Sequence, residues 1–162
     1  MGVTADTKSL VRHLLKCDHP LVLDADALNC LSTFSPSPFV VLTPHPGEMA
    51  RLIGSTPAKV QSGRIGTATD FATKHRCAVV LKGFRTVIAT PDGKIFINST
   101  GNPGMATAGM GDVLTGMIGS LIVQGLEFEK AIGAAVYLHG RAGDRVAERL
   151  GDRGLLALDL IE

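Results

Sequence analysis

Short apolar runs alternate along the chain with stretches whose apolar residues recur at helical spacing. Asp6 to Lys16 carries Leu10, Leu14 and Leu15 on one face and predicts a helix. Leu21-Val22-Leu23 follows Pro20, ends at Asp24 and reads as a buried strand. Phe39 to Leu42 reads as a second strand, ending at Thr43-Pro44, and Ala78 to Leu81 as a third, ending at Lys82-Gly83. Between these two, Gly47 to Leu52 predicts a short helix, and Pro57 suits the first turn of one running to about His75. Thr86 to Ala89 and Lys94 to Asn98 flank Asp92-Gly93, the composition of a hairpin turn. A glycine-rich loop spans Gly101 to Gly111. Asp112 to Val123 predicts an apolar helix, and Glu127 to Leu150 another, broken near Gly140 to Gly143. This alternation predicts an α/β domain with a mostly parallel sheet. A doubly wound sheet ordinarily has strands ahead of a helix placed so early, so residues 1–162 are expected to be the C-terminal portion of a single larger domain whose N-terminal strands are missing.

Ligands of open α/β sheets bind beyond the carboxyl ends of the strands. Three strands here end in polar segments marked by proline or glycine: Asp24 to Asn29, Thr43 to Glu48, and Lys82 to Thr86. They are expected to share one rim. Asp26 faces the site or a hydrated Mg²⁺ in this reading, or belongs with Asp24 to a purely structural turn. His45 is held between two prolines, where its imidazole is fixed to meet a substrate amide or hydroxyl, unless it is a loop histidine without a role. Lys82-Gly83 reads either as a phosphate contact or as a turn. His13, His19, His75 and His139 read as surface or helix packing.

The most informative segment runs from Gly101 to Asp112, where small residues lead directly into an apolar helix. The first N–H groups of a helix lack internal partners and attract anions. Gly109 and Gly111 leave those groups accessible, so the N–H groups of Gly109, Met110 and Gly111 form a candidate anion hole. Asp112 at the helix start is placed to deprotonate a hydroxyl for attack on a phosphoryl group. The plainer alternative is a glycine turn with Asp112 as a cap. No GxxxxGK[ST] occurs, which excludes a P-loop, and Gly109-Met110-Gly111 lacks the third glycine of the dinucleotide fingerprint.

Composition narrows the classes further. Apolar residues make up 45% and charged residues 19% of the 162, the balance of a globular domain. A net charge of +1 gives no case for nucleic acid. Cys17, Cys30 and Cys77 form no CxxC pair, which points to reduced thiols in a cytoplasm. The first residues hold no basic stretch followed by an apolar one, so no signal peptide is expected, and the longest apolar run, Val113 to Val123, falls short of the ~20 residues of a membrane span.

Together, VLDADALN (22–29), TPHPGE (43–48), KGFRT (82–86) and GNPGMATAGMGDVLTG (101–116) resemble the NAD(P)H-hydrate dehydratase family within the ribokinase-like superfamily. The resemblance runs from about Thr4 to the end and implies a three-layer α/β/α sandwich. It implies that Asp112 is the catalytic base, that Gly109, Met110 and Gly111 form the anion hole, and that Lys82, Gly83, Phe84, Arg85, Thr86 and Gly111 contact a nucleotide. His45 and Asp112 are implied to contact the substrate, with Asp26 and Asn102 as further candidates. The implied reaction is ADP- or ATP-driven with Mg²⁺: the hydroxyl of NADH or NADPH hydrate is phosphorylated, phosphate leaves, and the nicotinamide C=C bond returns. Bacterial members use ADP, are commonly tetramers and are often fused to an epimerase domain, and the chain has their style, so ADP and a homo-oligomer are expected. The family's Gly-Pro-Gly-Leu-Gly segment is missing, and Ala108 stands where many relatives have glycine. A small-alcohol kinase of the same fold would share Asp112 and the anion hole but leaves TPHPGE with GNPGMAT unexplained. A silent nucleotide sensor has no need of a base at 112, and a fragment serving only oligomerisation explains none of the rim.

Overall fold

A computed structural model of the chain describes residues 2–31 and 39–161. It forms two compact units, Met1–Gly83 with Val87–Phe96, and Phe84–Thr86 with Ile97–Glu162.

The first unit is built on strands. In chain order it holds α1 (Ala5–Leu14), β1 (Leu21–Leu23), α2 (Asp26–Asn29), β2 (Val40–Leu42), α3 (Pro46–Ile53), α4 (Pro57–Ser62), α5 (Arg64–His75), β3 (Ala78–Leu81) and β4 (Val87–Ala89). With β5 (Ile95–Ile97) the strands make one sheet in the order β1-β2-β3-β4-β5. β1 pairs parallel with β2 through Leu23↔Leu42, and β2 parallel with β3 through Leu42↔Val79. β4 turns back antiparallel, with Leu81 opposite Val87. β2 and β3 are buried along their whole length, as strands covered on both faces must be. Leu42, Met49, Val60, Phe71, Val79 and Leu81 fill the core beside them. Truncating a fully buried leucine such as Leu81 to alanine costs about 2–5 kcal/mol at sites of this kind.

Three details of this unit depart from the sequence expectation. The inward stripe of α1 is centred on Val11, while Leu10 is 47% exposed, because Val11, Leu14 and Leu15 are the set spaced for one face. The helix expected from Pro57 to His75 is two helices. Gly63, at φ −135° and ψ 40°, leaves the helical region and separates α4 from α5. Phe39 lies just outside β2 and is half exposed.

The second unit contains α6 (Met110–Val123) and α7 (Phe128–Leu150), preceded by a 3-10 turn at Pro103–Met105. α7 is continuous, where a break near Gly140 to Gly143 was expected. A glycine inside a helix costs only about 1 kcal/mol against alanine. These two remove side chains where another segment packs: a methyl group on Gly140 would overlap Thr100, and one on Gly143 would overlap Met105. Among the described residues no helix is long and apolar enough to cross a membrane.

All three cysteines are free thiols; Cys17 is exposed and Cys30 and Cys77 are buried. Burial pushes the Cys77 thiol up to about 12. A thiol reagent at neutral pH should therefore titrate Cys17 alone in the native protein and the other two only after denaturation. Rapid native labelling of Cys77, read by mass spectrometry, would contradict this packing.

Candidate functional site

Because β1, β2 and β3 run in one direction, their carboxyl ends lie on one edge of the sheet. The hydrogen-bond ladder continues past the strands. The Thr43 N–H and hydroxyl both donate to the Leu23 carbonyl (3.1 and 3.3 Å), and the Lys82 N–H donates to the Pro44 carbonyl (2.9 Å). The backbone of Asp24, His45 and Lys82 is thereby held in register beyond the last strand residues.

Their side chains meet. Lys82 Nζ lies 2.6 Å from Asp24 Oδ1 and 3.9 Å from Glu48 Oε2. Glu48 is 6% exposed, so its charge sits out of water and needs these partners. The Lys82–Asp24 contact is a short, charge-assisted hydrogen bond, of a kind worth about 1.5–3 kcal/mol. Ala25 stands beside Asp24 at φ 48° and ψ −117°, a conformation an alanine rarely adopts. Strain of about 1–3 kcal/mol persists where the surroundings over-determine it. Asp24 thus serves as the Lys82 partner, and Asp26 opens α2 as its first residue.

His45 is the N-cap of α3. Its Nδ1 accepts from the Gly47 N–H (3.0 Å) and the Glu48 N–H (3.4 Å), while Glu48 Oε2 accepts from the His45 N–H (2.7 Å). Pro46 fits the first helical position because its missing N–H would have had no partner. The imidazole is half exposed, with Nε2 3.5 Å from Glu48 Oε1.

At the end of β3, Gly83 has φ +137°, and a side chain there would press on the Arg64 guanidinium at 3.2 Å. Arg64 Nη2 donates to the carbonyls of Leu81 (2.9 Å) and Lys82 (3.4 Å), tying α5 to the strand end. Desolvation lowers the Arg64 pKa, although an arginine stays protonated.

The second unit holds the rest of KGFRT and the glycine loop. Phe84 is 79% exposed, and the Arg85 guanidinium stands 5.4 Å from its ring centre, within cation–π range. Arg85 has φ +54°, and the Thr86 carbonyl accepts from the Asn98 N–H (2.9 Å). Gly109, at φ +87°, is the N-cap of α6, and no side chain caps that helix. Met110, Gly111 and Asp112 are its first three residues, so their N–H groups have no helical acceptor and Asp112 sits exposed in the first turn.

What replaces a cap is bracing from α7. Asp144 accepts from the Gly101 N–H (3.0 Å) and from Asn102 Nδ2 (3.1 Å), while Asn102 Oδ1 accepts from the Gly104 N–H (3.0 Å). The Asn102 amide therefore links the loop to α7. The Thr100 hydroxyl donates to the Tyr137 carbonyl (2.9 Å). His139 Nε2 lies 3.0 Å from the Met110 carbonyl; a carbonyl only accepts, so that nitrogen carries the proton. Sequence reading missed Glu48, Arg64, Asp144 and His139 as parts of these arrangements. Only Glu48 had a signal, the capping-box spacing of an acid three residues after the cap. Among the described residues no three or more His, Cys, Asp or Glu gather as a metal-binding group.

The family that matches the chain, over residues 1–162, is described as NAD(P)H-hydrate dehydratase. The chain is 52% identical to the bifunctional NAD(P)H-hydrate repair enzyme Nnr of Moorella thermoacetica, over 99% of the chain and 32% of that protein. It is 47% identical to the ADP-dependent (S)-NAD(P)H-hydrate dehydratase of Neisseria meningitidis, over 86% of the chain and 50% of the relative. A crystal structure of the ADP/ATP-dependent NAD(P)H-hydrate dehydratase of Bacillus subtilis, grown with ATP/Mg²⁺ and soaked with CoA, superposes with a TM-score of 0.90 at 37% identity, covering 99% of the chain and 59% of that structure. The chain thus spans between 32% and 59% of the length of these proteins. The ribokinase-like, mostly parallel α/β fold expected from the sequence is the fold found.

Asp144 and Gly140 test the bracing of the loop. Asp144→Ala leaves the Gly101 N–H and the Asn102 amide without their acceptor, and Gly140→Ala forces a methyl group against the Thr100 backbone. Each should cost roughly 1–3 kcal/mol and speed hydrogen exchange at Gly101 and Gly104 before it affects the sheet. Unchanged exchange at both amides would show that α7 does not hold the loop.

Proposed function

The chain belongs to the NAD(P)H-hydrate dehydratase family, and we propose that it carries the nucleotide-handling and proton-removing parts of an enzyme that dehydrates NADH or NADPH hydrate at the expense of ADP. The observation that carries this reading is the uncapped first turn of α6 with Asp112 as its third residue. An exposed carboxylate in that turn is suited to take the proton from the substrate's hydroxyl. The hydroxyl oxygen then bonds to the terminal phosphorus of the nucleotide, the phosphorus–oxygen bond to the rest of the nucleotide breaks, and AMP leaves when ADP is used. The transferred group would be received by the first-turn N–H groups, whose partial positive charge favours it. Loss of the C–O bond with its phosphate, and of a proton from the adjacent ring carbon, restores the C=C bond.

The residues present fit a nucleotide. Gly109 has the positive φ that only glycine takes readily, and a side chain there would also meet Ala157 Cβ at 3.0 Å, so the turn is shaped for close backbone approach. Phe84 and Arg85 offer an exposed aromatic face and a cation. The side chain of Lys82 is engaged by Asp24 and Glu48, so the contribution of KGFRT to the nucleotide would come from its backbone and from Arg85 and Thr86. Mg²⁺ would be held chiefly by the nucleotide's phosphates and water, the usual arrangement for this ion, where it neutralises charge on the phosphoryl group.

Cytoplasmic placement, a homo-oligomer and an epimerase partner, fused or separate, complete the reading. The bifunctional name of the Moorella relative supports the last of these.

The test uses the full-length protein, NADH hydrate and Mg²⁺ with ADP and then ATP, following the return of reduced-nicotinamide absorbance. Asp112→Asn should lower kcat by about 10²–10⁴-fold, as loss of a general base does, while calorimetry still records ADP binding. Gly111→Val should weaken ADP binding instead. Near-normal turnover in Asp112→Asn would remove the base from this position. Failure of the wild type on the hydrate, with nucleotide consumed when small alcohols are offered, would replace the dehydratase by a kinase of the same fold.

A further inference from the structure

We propose that His45 recognises its ligand as a neutral hydrogen-bond donor through Nε2–H, that the group it meets is a carbonyl oxygen, and that Glu48 is the positioning residue that fixes the ring in this form. The inference rests on the reading of His45 as a substrate contact and specifies its chemistry.

The tautomer follows from the helix cap. Nδ1 accepts the N–H groups of Gly47 and Glu48, so its lone pair is used and it carries no proton. The ring's one proton is then on Nε2. A protonated ring would turn Nδ1 into a donor facing two donors. Pro46 has no N–H, so the cap is built on residues 47 and 48. Gly47 makes the arrangement possible, since a side chain there would meet His45 Cε1 at 2.8 Å and lift the ring from the first turn.

Glu48 acts on both ends of the histidine. Oε2 accepts the His45 N–H at 2.7 Å, and Oε1 lies 3.5 Å from Nε2. That second distance is too long for a good hydrogen bond. It biases the proton toward Nε2 without consuming it, and the His45 side chain as a whole is 51% exposed. The carboxylate is itself steadied by Lys82, 3.9 Å from Oε2 and clamped by Asp24.

Residue choice gives a second argument. Asn, Asp and Ser cap helices better than histidine, so capping alone does not account for an imidazole here. What the ring adds is a rigid donor reaching beyond the cap into solvent. Its complement is an oxygen that accepts. The hydrated ring offers two, the hydroxyl and the carboxamide carbonyl; the hydroxyl oxygen is the one that attacks phosphorus, which leaves the carbonyl.

His45→Asn separates the two roles. The Asn Oδ1 takes the place of Nδ1 and keeps the cap, and the Nε2–H is lost. In the full-length enzyme the melting temperature should be unchanged while KM for NADH hydrate rises roughly tenfold or more and kcat changes little. The hydrate of the thionicotinamide analogue, whose sulfur is a weak acceptor, should show the same loss with wild type and no further loss with His45→Asn. Equal penalties from the substitution on both hydrates would assign the acceptor to another oxygen of the substrate and overturn the carbonyl. An unchanged KM in His45→Asn would overturn the donor. Nitrogen-15 spectra of the free protein give a readout independent of turnover: Nδ1 should resonate as a bare nitrogen and Nε2 as a protonated one. Glu48→Ala should mix the two forms and raise KM, and Glu48→Gln, whose amide oxygen still accepts the His45 N–H but whose NH₂ then replaces the carboxylate oxygen beside Nε2, should keep the cap and restore neither. A single fixed form in Glu48→Ala would remove Glu48 from this role. A wild type inactive on the hydrate would sink the dehydratase reading, and the spectra would still decide the ring's form.

Discussion

Strands that run the same way must end on the same edge of their sheet, and the chemistry of the first unit depends on that constraint. β1, β2 and β3 are parallel, so Asp24, the Thr43-Pro44-His45 turn and Lys82 leave the sheet side by side although up to 58 residues separate them in the chain. The ladder does not stop where the strands do. Thr43 and Lys82 extend it by donating to Leu23 and Pro44, so the placement of the charged side chains derives from backbone bonds inside a buried sheet. A register slip of one residue would turn the inward and outward sets over. It would also separate Lys82 from Asp24, so the core that fixes the register fixes the ion pair as well.

Within that edge the charges explain one another. Glu48 is almost wholly buried, and an isolated buried carboxylate is costly. It is met by the His45 N–H and by Lys82, and Lys82 is kept in place by Asp24. The backbone bears the consequence at Ala25, held at φ 48° between two aspartates. A lysine that reads in the sequence as a phosphate ligand or a turn residue is, in the fold, the centre of a small electrostatic arrangement belonging to the histidine side of the rim.

Much of this was legible in the sequence, for identifiable reasons. The buried strands are continuous apolar runs bounded by prolines, glycines or charges, and the rule that ligands gather beyond strand ends located the rim. The glycine loop announced an open helix start. Legibility failed where the cause lies far away in sequence. Gly63 divides a helix while Gly140 and Gly143 do not, and composition cannot tell them apart: the first takes a non-helical conformation, and the other two make room for Thr100 and Met105. Asp144 carries no motif, because its partners, Gly101 and Asn102, lie more than 40 residues earlier. Leu10 misled because spacing gives the width of an apolar stripe more reliably than its centre.

The bracing by α7 has a physical reason. A serine or aspartate at position 109 would cap α6 and stabilise it by about 0.5–2 kcal/mol. It would do so by occupying the first-turn N–H groups, the ones the proposed phosphoryl contact uses. With glycine there the helix start stays open, and the preceding loop loses the anchor a cap would have given. Asp144, His139 and the two small residues of α7 supply that anchor from the side, holding residues 100–105 and the Met110 carbonyl. The unbroken α7 follows from the same need: a kink at Gly140 would move Asp144 away from the loop it steadies.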